Sequence, residues 1–143
     1  MKFTKLLIAV DASDIALHAA RIGVELARSL KAELALVHVV DPTLVAGAET
    51  GLPTDELVSM LEDEAPSMLA KVRTQAGIES TPVEFIRRGK PATEIAALAN
   101  EWHADMIVMG THGRGLAARA LMGSVTQGVL RHASCPVLVV RPH

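Results

Sequence analysis

Five short apolar runs alternate along the chain with longer segments of helical periodicity. The runs cover residues 5–10, 34–40, 83–87, 106–109 and 136–140. Continuous apolar runs of this length are typical of strands that are buried on both faces, as in a parallel sheet. We therefore interpret each run as a strand of such a sheet.

Between the strands, apolar residues recur every three or four positions, which predicts helices. Ser13 follows the first strand and is a residue type that caps helices. Pro91 is placed to begin the third helix, because its fixed backbone angle suits a first turn. Residues 42–53 contain glycines and prolines, which predicts a mobile loop and a candidate lid. The apolar helix positions are Leu17, Ala20, Leu26, Ala27 and Leu30, then Leu57, Leu61, Met68, Leu69 and Val72, and then Ile95, Leu98, Ala99 and Trp102.

Strands that alternate with helices predict right-handed crossovers and an open parallel sheet. We expect one α/β domain over residues 1–143, with a Rossmann-like sheet of five parallel strands and helices on both faces. With the first strand central, the strand order is 3-2-1-4-5, and such sheets bind ligands where the order reverses. This topology brings Asp11, after the first strand, close to Gly110, after the fourth.

The segment after the fourth strand is rich in glycine. It reads Gly-Thr-His-Gly-Arg-Gly from Gly110, and Gly-Ser-Val-Thr-Gln from Gly123. Ser124 and Gln127 have the spacing of a capping box, which predicts a helix that begins within residues 123–125. A helix N-terminus offers free N–H groups and a positive dipole end to phosphate, and Arg114 adds charge nearby. On physical grounds alone, an anion site and a simple turn into a helix are equally good interpretations.

Two familiar nucleotide motifs fit this chain poorly. A Walker A loop needs Gly-Lys-Ser/Thr, whereas Gly89-Lys90 is followed by Pro91. The glycines at Gly113 and Gly115 loosely match a dinucleotide fingerprint, but they follow the fourth strand rather than the first. Both motifs are therefore set aside.

Composition narrows the classes of function. The net charge is -2, so no overall basic field attracts nucleic acid or an anionic membrane. Asp11 ends the N-terminal apolar run too early for a signal peptide, and no stretch approaches the roughly 18 apolar residues of a membrane span. The one cysteine, Cys135, allows no intrachain disulfide and is expected to be a buried apolar residue. We expect a cytoplasmic protein.

The spacing of the glycines resembles that of the universal stress protein family, in its ATP-binding branch. That branch carries Gly-x2-Gly-x9-Gly-Ser/Thr, and Gly110, Gly113, Gly123 and Ser124 have this spacing. The likeness extends over the chain, through residues 8–13, 36–40, 89–91 and 134–141.

The resemblance implies a stress-response regulatory module that binds ATP or a related adenine nucleotide. It places Asp11 near the nucleotide, with Ala12 and Ser13 beside it, and Val39 and Val40 against the adenine. It implies a divalent ion, Mg²⁺ or Mn²⁺, bound with the phosphates; the sequence offers no dedicated carboxylate cage, so we expect the metal to bind mainly through ATP. The positions expected at the ribose and phosphates, or flanking them, are Met109, Gly110, His112, Gly113, Arg114, Gly123, Ser124, Val125 and Thr126.

No catalytic residue set stands out. The six histidines form no recognised zinc pattern, and no Gly-x-Ser-x-Gly elbow is present. We favour a binding protein over its alternatives, a slow ATP hydrolase and a nucleotide-free interaction protein. A homodimer through the fifth strand is also expected, because the resemblance implies it and an uncovered apolar edge strand invites pairing.

Overall fold

The computed structural model describes residues 2–47, 49–112 and 122–142. Its five strands are all parallel and lie in the order β3-β2-β1-β4-β5. The predicted fold class and strand order are therefore confirmed, and each predicted strand differs from the observed one by a single residue at one end. The strands are β1 (Lys5–Ala9), β2 (Glu33–Val40), β3 (Val83–Arg88), β4 (Met106–Gly110) and β5 (Val137–Val140).

Helices connect successive strands. As predicted, Ser13 caps α1, and its hydroxyl oxygen accepts a hydrogen bond from the amide of Ala16 at 3.2 Å. Pro91 opens α3, while α2 runs through Pro66 as one helix. In the described ranges, no helix has both the length and the apolar character that crossing a bilayer requires. The helices are α1 (Asp14–Leu30), α2 (Thr54–Ala76), α3 (Pro91–Trp102) and α4 (Ser124–His132).

Apolar side chains fill two cores, one on each face of the sheet. One core packs under α1 and α2, and the other packs under α3 and α4. Along β2, Leu34 and Leu36 face the first core, whereas Ala35 and Val37 face the second, as the two-residue period of a strand requires. The strands are apolar at successive positions because both of their faces are buried.

Two glycines allow the elements around the carboxyl edge of the sheet to approach closely. A Cβ atom added to Gly110 would lie 2.7 Å from Cγ1 of Ile15 in α1. A Cβ atom added to Gly128 would lie 2.5 Å from the Cβ of Ala92, where α4 crosses α3. Both distances are shorter than a side-chain contact allows, so the positions of α1, α3 and α4 at this edge depend on these glycines.

Cys135 packs as an apolar residue, as its sequence context predicts, but it is less buried than expected. It is half-buried and packs against the core under α3 and α4. Burial raises the pKa of its thiol, because desolvation disfavours the thiolate. The thiol is therefore protonated at neutral pH and is a poor nucleophile.

Candidate functional site

A cavity of about 580 Å³ lies at the carboxyl edge of the sheet, over the ends of β1, β2 and β4. Its volume falls in the range of small-molecule sites, roughly 300–1,000 Å³. It occupies the predicted switch point, because the chain leaves β1 and β4 toward opposite faces of the sheet. The topology alone therefore places a concave surface at this edge.

Most of the residues that the sequence singles out line this cavity. Ser13 does not: its backbone amide donates to Oδ1 of Asp11 at 2.8 Å, and its hydroxyl donates to the same atom while capping α1. Gly113 and Arg114 lie outside the described residues. The predicted residues at the cavity are Asp11, Ala12, Val39, Val40, Met109, Gly110, His112, Gly123, Ser124, Val125 and Thr126.

Two hydrogen bonds, which together we call the clasp, join the start of α4 to the end of β4. The amide of Gly123 donates to the carbonyl of Thr111 at 2.6 Å. The hydroxyl of Thr126 donates to the carbonyl of Gly110 at 2.9 Å, and Thr126 is 1% exposed. The two ends of the glycine-rich segment are thereby fixed beside each other at the cavity.

The N-terminus of α4 opens onto the cavity, but its cap differs from the prediction. Gly123 is the cap residue, with φ -76° and ψ 163°, and no side-chain hydrogen bond caps the helix. The predicted capping box is wrong because Ser124 is already helical, whereas the box needs its serine outside the helix. The predicted start of the helix is confirmed.

The first turn of α4 also carries backbone amide donors. The amide of Gln127 donates to the carbonyl of Gly123 at 3.0 Å, which begins the helical ladder. The amides of Ser124, Val125 and Thr126 have no acceptor among residues 2–47, 49–112 and 122–142. The first N–H groups of a helix have no partner within the helix, so these three are the donors that α4 directs at the cavity.

The described part of the lining is acidic. Its charged side chains are Asp11, Asp41 and Glu64, and the described lining contains no lysine or arginine. Two histidines are also present: Nδ1 of His112 lies 3.1 Å from Oγ1 of Thr111, and Nδ1 of His38 lies 2.9 Å from the carbonyl of Val10. An anion here would depend on the end of α4 and on charges from beyond the described lining.

One wall of the cavity escaped the sequence prediction. It consists of Leu61, Glu64, Ala65 and Met68, which have helical spacing along α2. Leu61 and Met68 could have indicated this wall, because they belong to the apolar stripe predicted for the second helix. An apolar stripe, however, does not distinguish a core from a cavity wall. Leu44, from the predicted lid segment, also lines the cavity; closure of that segment stays a prediction.

Replacing Thr126 with valine should loosen the clasp. The change leaves the carbonyl of Gly110 without its buried donor, so we expect the free energy of unfolding to fall by about 1–3 kcal/mol. Thr126→Ser keeps the hydroxyl and should lose less than half as much. Urea denaturation of both variants checks this, and a greater loss in Thr126→Ser than in Thr126→Val would show that the methyl group contributes more to the clasp than the hydrogen bond.

Comparison with known proteins identifies the family to which this chain belongs. The profile of the universal stress protein family matches residues 2–141. A universal stress protein of Methanocaldococcus jannaschii is 37% identical over 144 residues, which cover 97% of this chain and 82% of that relative.

Solved structures show the same architecture. Universal stress protein UspA from Lactobacillus plantarum superimposes with a TM-score of 0.82 at 28% identity, over 99% of each chain. A universal stress protein from Archaeoglobus fulgidus, solved in complex with dAMP, superimposes with a TM-score of 0.65 at 28% identity, over 97% of this chain and 98% of that one. Both likenesses extend over nearly the whole of this chain.

Proposed function

Because this chain belongs to the universal stress protein family, we propose that it is a stress-response regulatory module that binds ATP in the cavity at the carboxyl edge of its sheet. The observation that carries the proposal is the first turn of α4, whose amides find no acceptor among the described residues and open onto the cavity beside the end of β4. A relative solved with dAMP supports an adenine nucleotide as the ligand.

We assign each part of the nucleotide to a different part of the cavity. The phosphates lie at the amides of Ser124, Val125 and Thr126, where the helix dipole also favours negative charge. The adenine lies against Val39 and Val40 at the end of β2, and the ribose lies near Asp11. Gly123 keeps side-chain atoms away from the phosphates at the point where the helix begins.

A divalent cation would reach this site with the phosphates. Among the described residues, no three His, Cys, Asp or Glu side chains are grouped so that they could hold a metal ion. Mg²⁺ typically keeps several waters and binds through substrate phosphates and few protein groups. We therefore propose that Mg²⁺ or Mn²⁺ is coordinated mainly by ATP, where it offsets repulsion from the carboxylates of the lining.

Removal of the metal should weaken the binding of ATP more than the binding of AMP. We expect EDTA to weaken ATP binding by about tenfold, equivalent to about 1.4 kcal/mol, because the triphosphate loses its counter-ion beside three lining carboxylates. AMP carries less charge, so its affinity should change by less than about threefold. Calorimetry with both nucleotides, with and without EDTA, measures this. An equal response of the two nucleotides would contradict the role of the cation.

The same samples test the function itself and its alternatives. Mass spectrometry of ligand released from freshly purified protein should identify an adenine nucleotide. Chromatography after hours with ATP should show a stoichiometric ATP complex, whereas accumulation of ADP would favour the slow hydrolase. Neither released nucleotide nor binding heat would favour the nucleotide-free interaction protein.

We further propose that two cytoplasmic copies pair through β5, which is an edge strand. The amide of Ile107 donates to the carbonyl of Pro136, and that of Thr111 donates to the carbonyl of Val140. Because alternate residues of a strand face opposite neighbours, the N–H group of Val139 points away from β4. This group is available to a second copy.

Val139→Pro should therefore convert the dimer to a monomer. The change removes a donor at the free edge and leaves the ladder between β4 and β5 intact. Analytical ultracentrifugation should show the loss of the dimer at micromolar concentration, while circular dichroism stays unchanged. Leu138→Pro, which removes a donor that faces β4, should unfold the edge instead. A monomeric parent protein, or a folded Val139→Pro dimer, would refute this pairing.

A further inference from the structure

The cavity extends to both faces of the sheet, and the proposed nucleotide uses the side under α3 and α4 together with the sheet edge at Asp11 and Val40. Val39, Ile95, Met109 and Val125 line the side under α3 and α4, next to the start of α4. The other side, which we call the α1/α2 side, is mostly apolar. It is lined by Ala16, His38, Leu44, Leu61, Ala65 and Met68.

His38 supplies a polar group on the α1/α2 side. It shares the strand parity of Leu34 and Leu36, which face the core under α1 and α2. Its Nδ1 lies 2.9 Å from the carbonyl oxygen of Val10. Because a carbonyl only accepts, Nδ1 carries the proton, and Nε2 of the neutral ring is an acceptor. No described residue donates a hydrogen bond to Nε2.

Charge limits what this side accepts. The carboxylates of Asp41 and Glu64 line the same side. Oδ1 of Asp41 accepts hydrogen bonds from the amide and the hydroxyl of Thr43, at 2.9 and 2.7 Å. With no lysine or arginine in the described lining, a second anion here would meet repulsion and no partner.

We propose that the α1/α2 side is a separate subsite for an apolar group that carries a hydrogen-bond donor, an amine or an alcohol. The apolar body contacts Leu61, Ala65 and Met68, and the donor binds Nε2 of His38. Small-molecule sites commonly combine apolar walls with a few placed polar groups. This assignment does not depend on the other side binding a nucleotide.

Methionine methyl groups mark the two sides for NMR. Met68 lines the α1/α2 side, Met109 lines the other, and Met60 is an exposed reference on α2 that does not line the cavity. In protein labelled with ¹³C at the methionine methyls, benzylamine and benzyl alcohol should shift Met68 but not Met60 or Met109. Benzoate should bind at least about tenfold more weakly. Equal binding of benzoate, a shift at Met109 alone, or no shift would overturn the proposal.

Two variants test the named contacts. His38→Phe keeps an aromatic ring but removes the acceptor, so benzyl alcohol should bind about three- to tenfold more weakly. Ala65→Leu fills the apolar wall and should abolish the shift of Met68, even if His38→Phe does not fold. Ser67→Leu adds the same side chain at an exposed position of α2 and should bind benzyl alcohol like the parent protein. Unchanged binding in folded Ala65→Leu would refute the subsite.

The group could belong to a separate molecule or to a substituent of the nucleotide. If benzylamine still binds to protein that is saturated with AMP, the group belongs to a separate molecule. If N6-benzyl-AMP instead shifts Met68 and Met109 together, with a larger shift at Met68 than AMP causes, the group is a substituent of the nucleotide. Complete exclusion of benzylamine by AMP would place the amine in the nucleotide's own position and overturn the proposal. If AMP does not bind at all, the benzylamine titration still decides the subsite on its own.

Discussion

Gly123→Val should lower the affinity for ATP by about tenfold to a hundredfold while the protein stays folded. The added branched side chain lies at the start of α4, where the phosphates approach the amides of Ser124 and Val125. Hydrogen bonds to a charged group contribute about 1.5–3 kcal/mol each, so losing one of them accounts for this range. Calorimetry measures the affinity, and circular dichroism measures the fold.

The backbone at Gly123 explains why folding should survive. Its φ of -76° and ψ of 163° are extended angles that valine adopts readily. Its amide, which valine retains, donates to Thr111. ATP should raise the melting temperature of the parent protein by linkage and that of the variant much less. Ser124→Ala is the milder control, since it keeps the amide donors. A folded Gly123→Val protein with parental affinity would show that the phosphates bind elsewhere.

Gly128→Ala should lower the free energy of unfolding by about 1–2 kcal/mol. Overpacking costs about 1–3 kcal/mol, and replacement of a helical glycine by alanine returns up to about 1 kcal/mol. The added Cβ would lie 2.5 Å from the Cβ of Ala92, an atom fixed to the backbone, so α3 and α4 must move apart. Because α3 and α4 both contribute to the cavity wall, ATP affinity should fall as well.

A double-mutant cycle isolates this contact. Ala92→Gly removes the opposing methyl group, so the pair Ala92→Gly and Gly128→Ala should regain most of the lost stability in urea denaturation. Residues in contact show coupling energies of about 0.5–3 kcal/mol. Additive losses in the double variant would show that the two helices do not press together at this point.

The sheet could be predicted from the sequence because its strands are buried on both faces. Residues 6–8 and 107–108 are apolar at every position, which is the mark of a parallel sheet between two helical layers. The switch point followed from strand order alone. Asp11 and Gly110 line one cavity because β1 and β4 are neighbours in that order.

Other parts of the site depend on contacts that local patterns do not contain. Ser124 and Gln127 have capping-box spacing, but the bond from Gly123 to Thr111 makes Gly123 the cap. Likewise, the apolar stripe of α2 divides between core and cavity. Leu69 is fully buried in the core while Met68 borders the cavity, and only the tertiary position of α2 separates their roles. His38 gave no sequence signal, because its partner is a backbone carbonyl 28 positions away.

The clasp between β4 and α4 turns the stretch from Thr111 to Gly123 into a closed ring. The two ends of this ring are held side by side by the hydrogen bonds of Gly123 and Thr126. The edge of the sheet and the first turn of α4 are therefore mechanically coupled, so a shift of one must carry the other with it.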